Sequence, residues 1–201
     1  MLRRTSHAAR RAAAAAALVV TALALPGAAV AQEKGHPGPA HQEARAQTGR
    51  IGIPESMRVE HAEIHAELER ATKAAGSVGA AARELAAVLH PHFMREEQIA
   101  LPPLGLLAPL SRGEYTEGMR AVLPLTDSLR AELPRMLKEH EAIRAATLRL
   151  GEVARTAGDA PVAELAEKLQ LHARGEEEMF YPAAVLVGDL VRARAAARPR
   201  P

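Results

Sequence analysis

The chain has 201 residues, of which 48% are hydrophobic and 25% charged, enough for one ordinary domain with a buried core. It has no Trp, only two Phe and two Tyr, and no Cys. These counts exclude aromatic platforms for single-stranded nucleic acid, and also disulfides, thiolate nucleophiles, zinc ribbons and iron–sulfur clusters.

The formal charge of +2 is unevenly spread: residues 1–31 carry Arg3, Arg4, Arg10 and Arg11 and no acid, so the remainder has +2 − 4 = −2. The basic balance therefore gives no support to a nucleic-acid partner. Those arginines precede an apolar run from Ala12 to Leu25, broken by Pro26-Gly27 and followed by the small-x-small triplet Ala29-Val30-Ala31. That order predicts a secretory signal peptide over 1–31, a mature chain from Gln32 and a secreted or periplasmic location. The run is shorter than the ~20 residues a membrane span needs. Arg3-Arg4 and Arg10-Arg11 leave both the general and the twin-arginine export routes open. Residues 32–52, rich in Gly, Pro, Gln and Ala without apolar periodicity, predict a flexible linker with His36 and His41 in solvent.

The domain expected over 53–199 reads as all-α. Apolar positions step by three and four along Met57, His61, Ile64, Leu68, Ala71, Ala75; then Leu85, Leu89, His92, Glu96, Ile99. The same stepping returns along Leu129, Leu133, Met136, His140, Ile143, Thr147, Leu150, and finally Val162, Leu165, Leu169, His172, Glu176, Met179. Ser77 is placed to cap the second helix and Pro102-Pro103 to end it, while Asp159 and Pro161 suit the start of the fourth. Pro91 and Pro134 fall inside helices, and 104–125 reads as a loop with a short helix around Tyr115 to Val122. Four such seams predict an up-and-down antiparallel four-helix bundle, with a short C-terminal helix from Ala183 to Ala197.

His61, His92, Glu96, His140, His172 and Glu176 interrupt these seams and face the interior. Residues four apart share a helix face, so His92/Glu96 and His172/Glu176 each present an imidazole and a carboxylate together. Burying such groups without partners costs several kcal/mol each, and no Lys or Arg lies on the seams to compensate. Metal ions satisfy all six, since imidazole and carboxylate suit iron, manganese and zinc.

The pattern also repeats. Glu60-His61-x-x-Ile64 returns as Glu139-His140-x-x-Ile143, and His92-x-x-x-Glu96-Glu97 returns as His172-x-x-x-Glu176-Glu177, at nearly the same offset along the chain. Two helix pairs related in this way would bring two half-sites together about a pseudo-twofold axis.

In these residues the chain resembles the hemerythrin-like family, in its branch called the HHE cation-binding domain, over about residues 55–185. The resemblance implies a four-helix bundle with two non-haem irons. His61 and His92 would ligate on one side, His140 and His172 on the other, with Glu96, Glu176 and an oxo or hydroxo group bridging. Dioxygen, nitric oxide or peroxide would be the small ligand. Oxygen-carrying members have a second histidine four residues along the third helix and a carboxylate five residues after the last histidine. Here position 144 holds Arg144, and the seam carboxylate Glu176 comes four residues after His172, which shifts the expectation from reversible oxygen carriage to reactive chemistry. Relatives that repair iron–sulfur centres usually have a cysteine-bearing segment, absent from this chain.

His65, four after His61, borders the seam as a further candidate ligand, although its counterpart in the repeat is Arg144. His90 belongs to the opposite face from His92. Glu97 and Glu177 read either as acceptors orienting the ligand histidines or as solvated acids. Phe93, Phe180 and Tyr181 would pack around the site, with Tyr181 able to donate a hydrogen bond there. Two other functions remain open: metal buffering or delivery without turnover, and a metal-free interaction module.

Overall fold

The computed structural model describes residues 51–197, and no strand occurs among them. The signal peptide expected at 1–31, and His36 and His41 of the linker, lie outside the described residues. The helices are α1 (Glu55–Thr72), α2 (Gly76–Arg95), α3 (Leu107–Ser111), α4 (Leu123–Ala157), α5 (Ala160–Gly175) and α6 (Tyr181–Ala196). The four predicted seams lie on α1, α2, α4 and α5. α4 packs against α2, α5 and α6, while α1 packs against α2 and α5. Among the described residues no helix is long and apolar enough to cross a membrane.

The helix ends show which local signals acted. Gly158 closes α4 in the left-handed conformation at φ +71, which costs glycine little. Asp159 then accepts a hydrogen bond from the Val162 N–H at 3.3 Å, with Pro161 in the first turn, as the sequence predicts. Ser77 does not cap α2: Gly76, at φ +69, turns the chain one residue earlier and no side chain caps that end. Pro102-Pro103 does follow the end of the second helical run, which the π turn carries to Ala100. Both prolines enter a 3-10 turn, Pro102–Leu106, whose first residues need no amide donor. The stretch expected as a loop with one short helix holds α3 and a second 3-10 turn, Glu117–Val122, before α4 starts at Leu123.

Two π-helical turns matter most. Glu96–Ala100 follows α2 and Glu176–Phe180 follows α5, so each begins at a predicted ligand carboxylate. A π turn inserts roughly one extra residue and shifts the inward face of everything after it. Met179, expected on the fourth seam, is accordingly 63% exposed, and Tyr181 is buried. In the first half Leu101 is buried while Ile99 is only partly so.

The six polar residues form a layer between two apolar clusters. One cluster contains Ile64, Leu89, Phe93, Ile143 and Leu169, the other Met57, Ala100, Leu101, Met136 and Tyr181. On each of the four helices the path passes from one cluster through the polar layer to the other, so water is kept from it on both sides. A third cluster, with Leu106, Leu110, Val122 and Val187, fastens α6 to the α3 region.

α6 approaches α4 closely at Gly188, where an added Cβ would lie 2.2 Å from Thr126 Oγ1 and 2.7 Å from its Cβ. Gly188→Ala should destabilise the fold by about 1–3 kcal/mol through this overlap. A lowered thermal midpoint checks it; an unchanged one would contradict the close approach.

Candidate metal centre

All six predicted residues meet. His61 on α1, His92 on α2, His140 on α4 and His172 on α5 are buried, as are Glu96 and Glu176 at the heads of the π turns. Their donor atoms fall into two groups, His92/Glu96/His140/Glu176 and His61/His172/Glu176. Glu176 belongs to both: its Oε1 lies 3.0 Å from His172 Nε2 and 3.6 Å from His61 Nε2, and its Oε2 lies 3.5 Å from His140 Nε2. Glu96 Oε1 lies 3.3 Å from His92 Nε2 and 3.9 Å from His140 Nε2.

The histidines pair differently from the arrangement implied by the resemblance. His92 sits with His140, ring centroids 4.5 Å apart, and His61 with His172, at 5.0 Å. Each of α1 and α4 borders both α2 and α5, so adjacency permits either pairing, and it is across the α2–α4 and α1–α5 borders that the rings meet.

Outside this layer each histidine meets a further carboxylate at Nδ1. The distances are 3.3 Å for His61–Glu97, 2.9 Å for His92–Glu139, 2.9 Å for His140–Glu177 and 3.1 Å for His172–Glu60. The first three also have hydrogen-bond geometry. A carboxylate at Nδ1 leaves Nε2 as the inward lone-pair donor and makes the imidazole a stronger ligand. The four pairs obey the sequence repeat: Glu60–His172 corresponds to Glu139–His92, and Glu97–His61 to Glu177–His140. Two of the carboxylates are held by arginines, Glu139 by Arg135 at 3.0 Å and Arg95 at 3.3 Å, and Glu177 by Arg144 at 2.8 Å.

Electrostatics separate the groups. Burial, and next the charge of Glu176, push the Glu96 carboxyl up to about 7. Glu176 is held well below the usual carboxylate range, because the neighbouring His172 and His61 outweigh its burial. For His172, burial is outweighed by the Glu176 carboxylate, and its pKa rises to about 9. His92 is raised, with Glu96 and Glu139 outweighing its burial, whereas burial lowers His140. Burial, then the charges of Glu96 and Glu176, raise the Tyr181 phenol far above its ordinary value. Its hydroxyl stays protonated and donates to Glu96 Oε1, lying also 3.1 Å from His140 Nε2 and 3.4 Å from His92 Nε2.

The donor set suits a metal by the pattern of its unmet hydrogen bonds. His61 Nε2, His172 Nε2, Glu96 Oε2 and Glu176 Oε1 are buried without a hydrogen-bond partner. Buried polar atoms are seldom left so; these four belong to residues of the two donor groups, while Glu132 Oε2 and Thr147 Oγ1 are in the same state outside them. Imidazole and carboxylate together match iron, manganese or zinc.

His65 joins neither donor group; it is half-buried, and His90 is exposed. Glu97 and Glu177 prove to be acceptors at His61 and His140. Glu60 and Glu139 are their equivalents at His172 and His92, and the repeated Glu-His pair is the sequence signal for them. Phe93 stacks on His61 at 4.2 Å, as packing. Glu177→Ala should weaken metal binding about 10–100-fold, the usual effect of losing such a carboxylate. Competition with a calibrated chelator measures this; an unchanged affinity would make the Glu177 contact incidental.

The family model described as the hemerythrin HHE cation binding domain matches residues 52–184. No curated protein and no solved structure matches the chain.

Proposed function

The chain belongs to the hemerythrin HHE cation-binding domain family, and on that premise we propose that it is an exported non-haem di-iron protein that binds or reacts with dioxygen, nitric oxide or hydrogen peroxide. The observation that carries this reading is Glu176, one buried carboxylate within reach of both donor groups. Residues 1–31 would direct export and 32–52 would link the leader to the bundle. His61, His92, Glu96, His140, His172 and Glu176 would be the ligands. An up-and-down antiparallel bundle closed by the C-terminal helix is part of the reading. It is supported by the pairs Glu84–Arg149 at 3.0 Å and Arg95–Glu132 at 2.8 Å, in which rising numbers on α2 meet falling numbers on α4.

A bound iron pair would supply coordination positions and electrons for a small ligand. The chain's own residues do the rest. The apolar clusters exclude water, the outer carboxylates fix each imidazole, and Tyr181 keeps a proton at its hydroxyl beside Glu96, His92 and His140. Leu101 stands at the place of Tyr181 in the other half, so only one donor group faces a phenol. The His61/His172/Glu176 group, with three protein donors, leaves more positions for the small ligand.

Titrating the iron-loaded chain with nitric oxide, peroxide and dioxygen tests the function. A stoichiometric spectral change with at least one supports it. No change with any of the three would favour the second reading, metal buffering or delivery without turnover, to which the three-donor group is also suited.

A further inference from the structure

The two donor groups are related by the repeat, yet their surroundings differ. On the α4 side Arg144 occupies the place that His65 has in the first half, and it donates to Glu177 at 2.8 Å. Gln170 likewise occupies the place of His90. That rim presents a guanidinium, which repels an arriving cation.

On the α1 side the same two places hold imidazoles. His65 and His90 face each other across the groove between α1 and α2, ring centroids 5.6 Å apart and planes at 77°. Both line this groove, with Ala62, Ala66, Ala86 and Leu89 as its apolar walls. His90 is exposed and His65 half-buried, so the groove opens to solvent. Beneath it the His65 ring meets Phe93 at 5.0 Å, and Phe93 stacks on His61. Glu97, 37% exposed and 3.3 Å from His61 Nδ1, connects this rim to the buried layer, and among the described residues no arginine pairs with it.

We propose that His65 and His90 form an entry site for a divalent transition-metal ion on its way to His61, His172 and Glu176. Two imidazoles are a ligand set suited to such ions. Being only two, they would release the ion to the fuller donor set below. The apolar groove walls and the nearby Glu97 raise the local cation concentration in the way a charged cleft steers its ligand. The proposal rests on the metal-centre reading above.

The test is loading of the metal-stripped full chain with cobalt(II), followed by visible absorbance, with the phase that fills the His61 position identified by its loss in His61→Ala. In the double variant His65→Ala/His90→Ala this phase should slow at least about tenfold, with final metal count and spectrum unchanged. Gln170→Ala, the matching change on the other rim, should load at the parent rate. Loading of the double variant at the parent rate would overturn the proposal, as would equal slowing by Gln170→Ala. So would a lower final count, which would make the pair permanent ligands. A parent chain that takes up no cobalt would overturn the metal-centre reading itself, a distinct failure.

Discussion

Glu176→Ala should empty both metal positions, whereas Glu96→Ala should empty only the one at His92 and His140. The two carboxylates are equivalent in the sequence repeat but not in the structure. Glu176 lies within reach of His172, His61 and His140, while Glu96 turns toward Tyr181 and joins only the His92/His140 group. Losing an outer carboxylate typically costs 10–100-fold, roughly, in metal affinity. Losing a donor shared by both positions should exceed that at each. The metal-free variant should also lose about 3–5 kcal/mol of stability, because Glu176 is the buried partner that keeps His172 charged. Metal analysis of the two purified variants decides the matter. One retained metal in Glu176→Ala with none in Glu96→Ala would reverse the roles assigned here.

The second large effect is of pH. In the metal-free chain His172 is raised from 6.5 to about 9 by Glu176. A raised histidine contributes stability that is fully present below pH 6.5 and is lost as pH climbs through about 9, here about 3 kcal/mol. Glu96, raised from 4.5 to about 7, adds a loss over its own window as pH rises. Glu176, lowered, works in the opposite direction, its contribution lost only as pH falls well below 4.5. The metal-free chain should therefore unfold more easily at pH 9 than at pH 6.5. Metal affinity should move the other way, rising as much as about tenfold per pH unit until His172 has lost its proton. Thermal midpoints and chelator competition at the two pH values check both halves. A metal-free chain more stable at pH 9 would show that Glu176 does not hold a proton on His172.

What could be read from the sequence was what periodicity and repetition encode. The four seams gave the helices, and polar residues on otherwise apolar faces marked the buried cluster that could hold metal, since a buried charge without a partner is too costly to be accidental. The π turns were not legible, because their onset leaves no period in a short segment. They moved Met179 out and Tyr181 in. Pairing of the histidines is beyond a one-dimensional pattern, because α1 and α4 each border both α2 and α5 and the sequence does not encode across which border the rings meet. Glu60 and Glu139 carry a signal in the sequence: each precedes a site histidine at the same place in the repeat, and a repeated acid beside such a histidine marks a partner for another imidazole. Ser77 shows the limit of capping rules, since a glycine with positive φ one residue earlier took over the turn.

A pair of metals bridged by Glu176 is tested most directly by metal content per chain, taken together with the absorption spectrum in air. About two irons per chain and the near-ultraviolet band of a bridged ferric pair are expected. Zinc alone, or a chain that binds no metal when offered ferrous iron, would contradict the bridged pair.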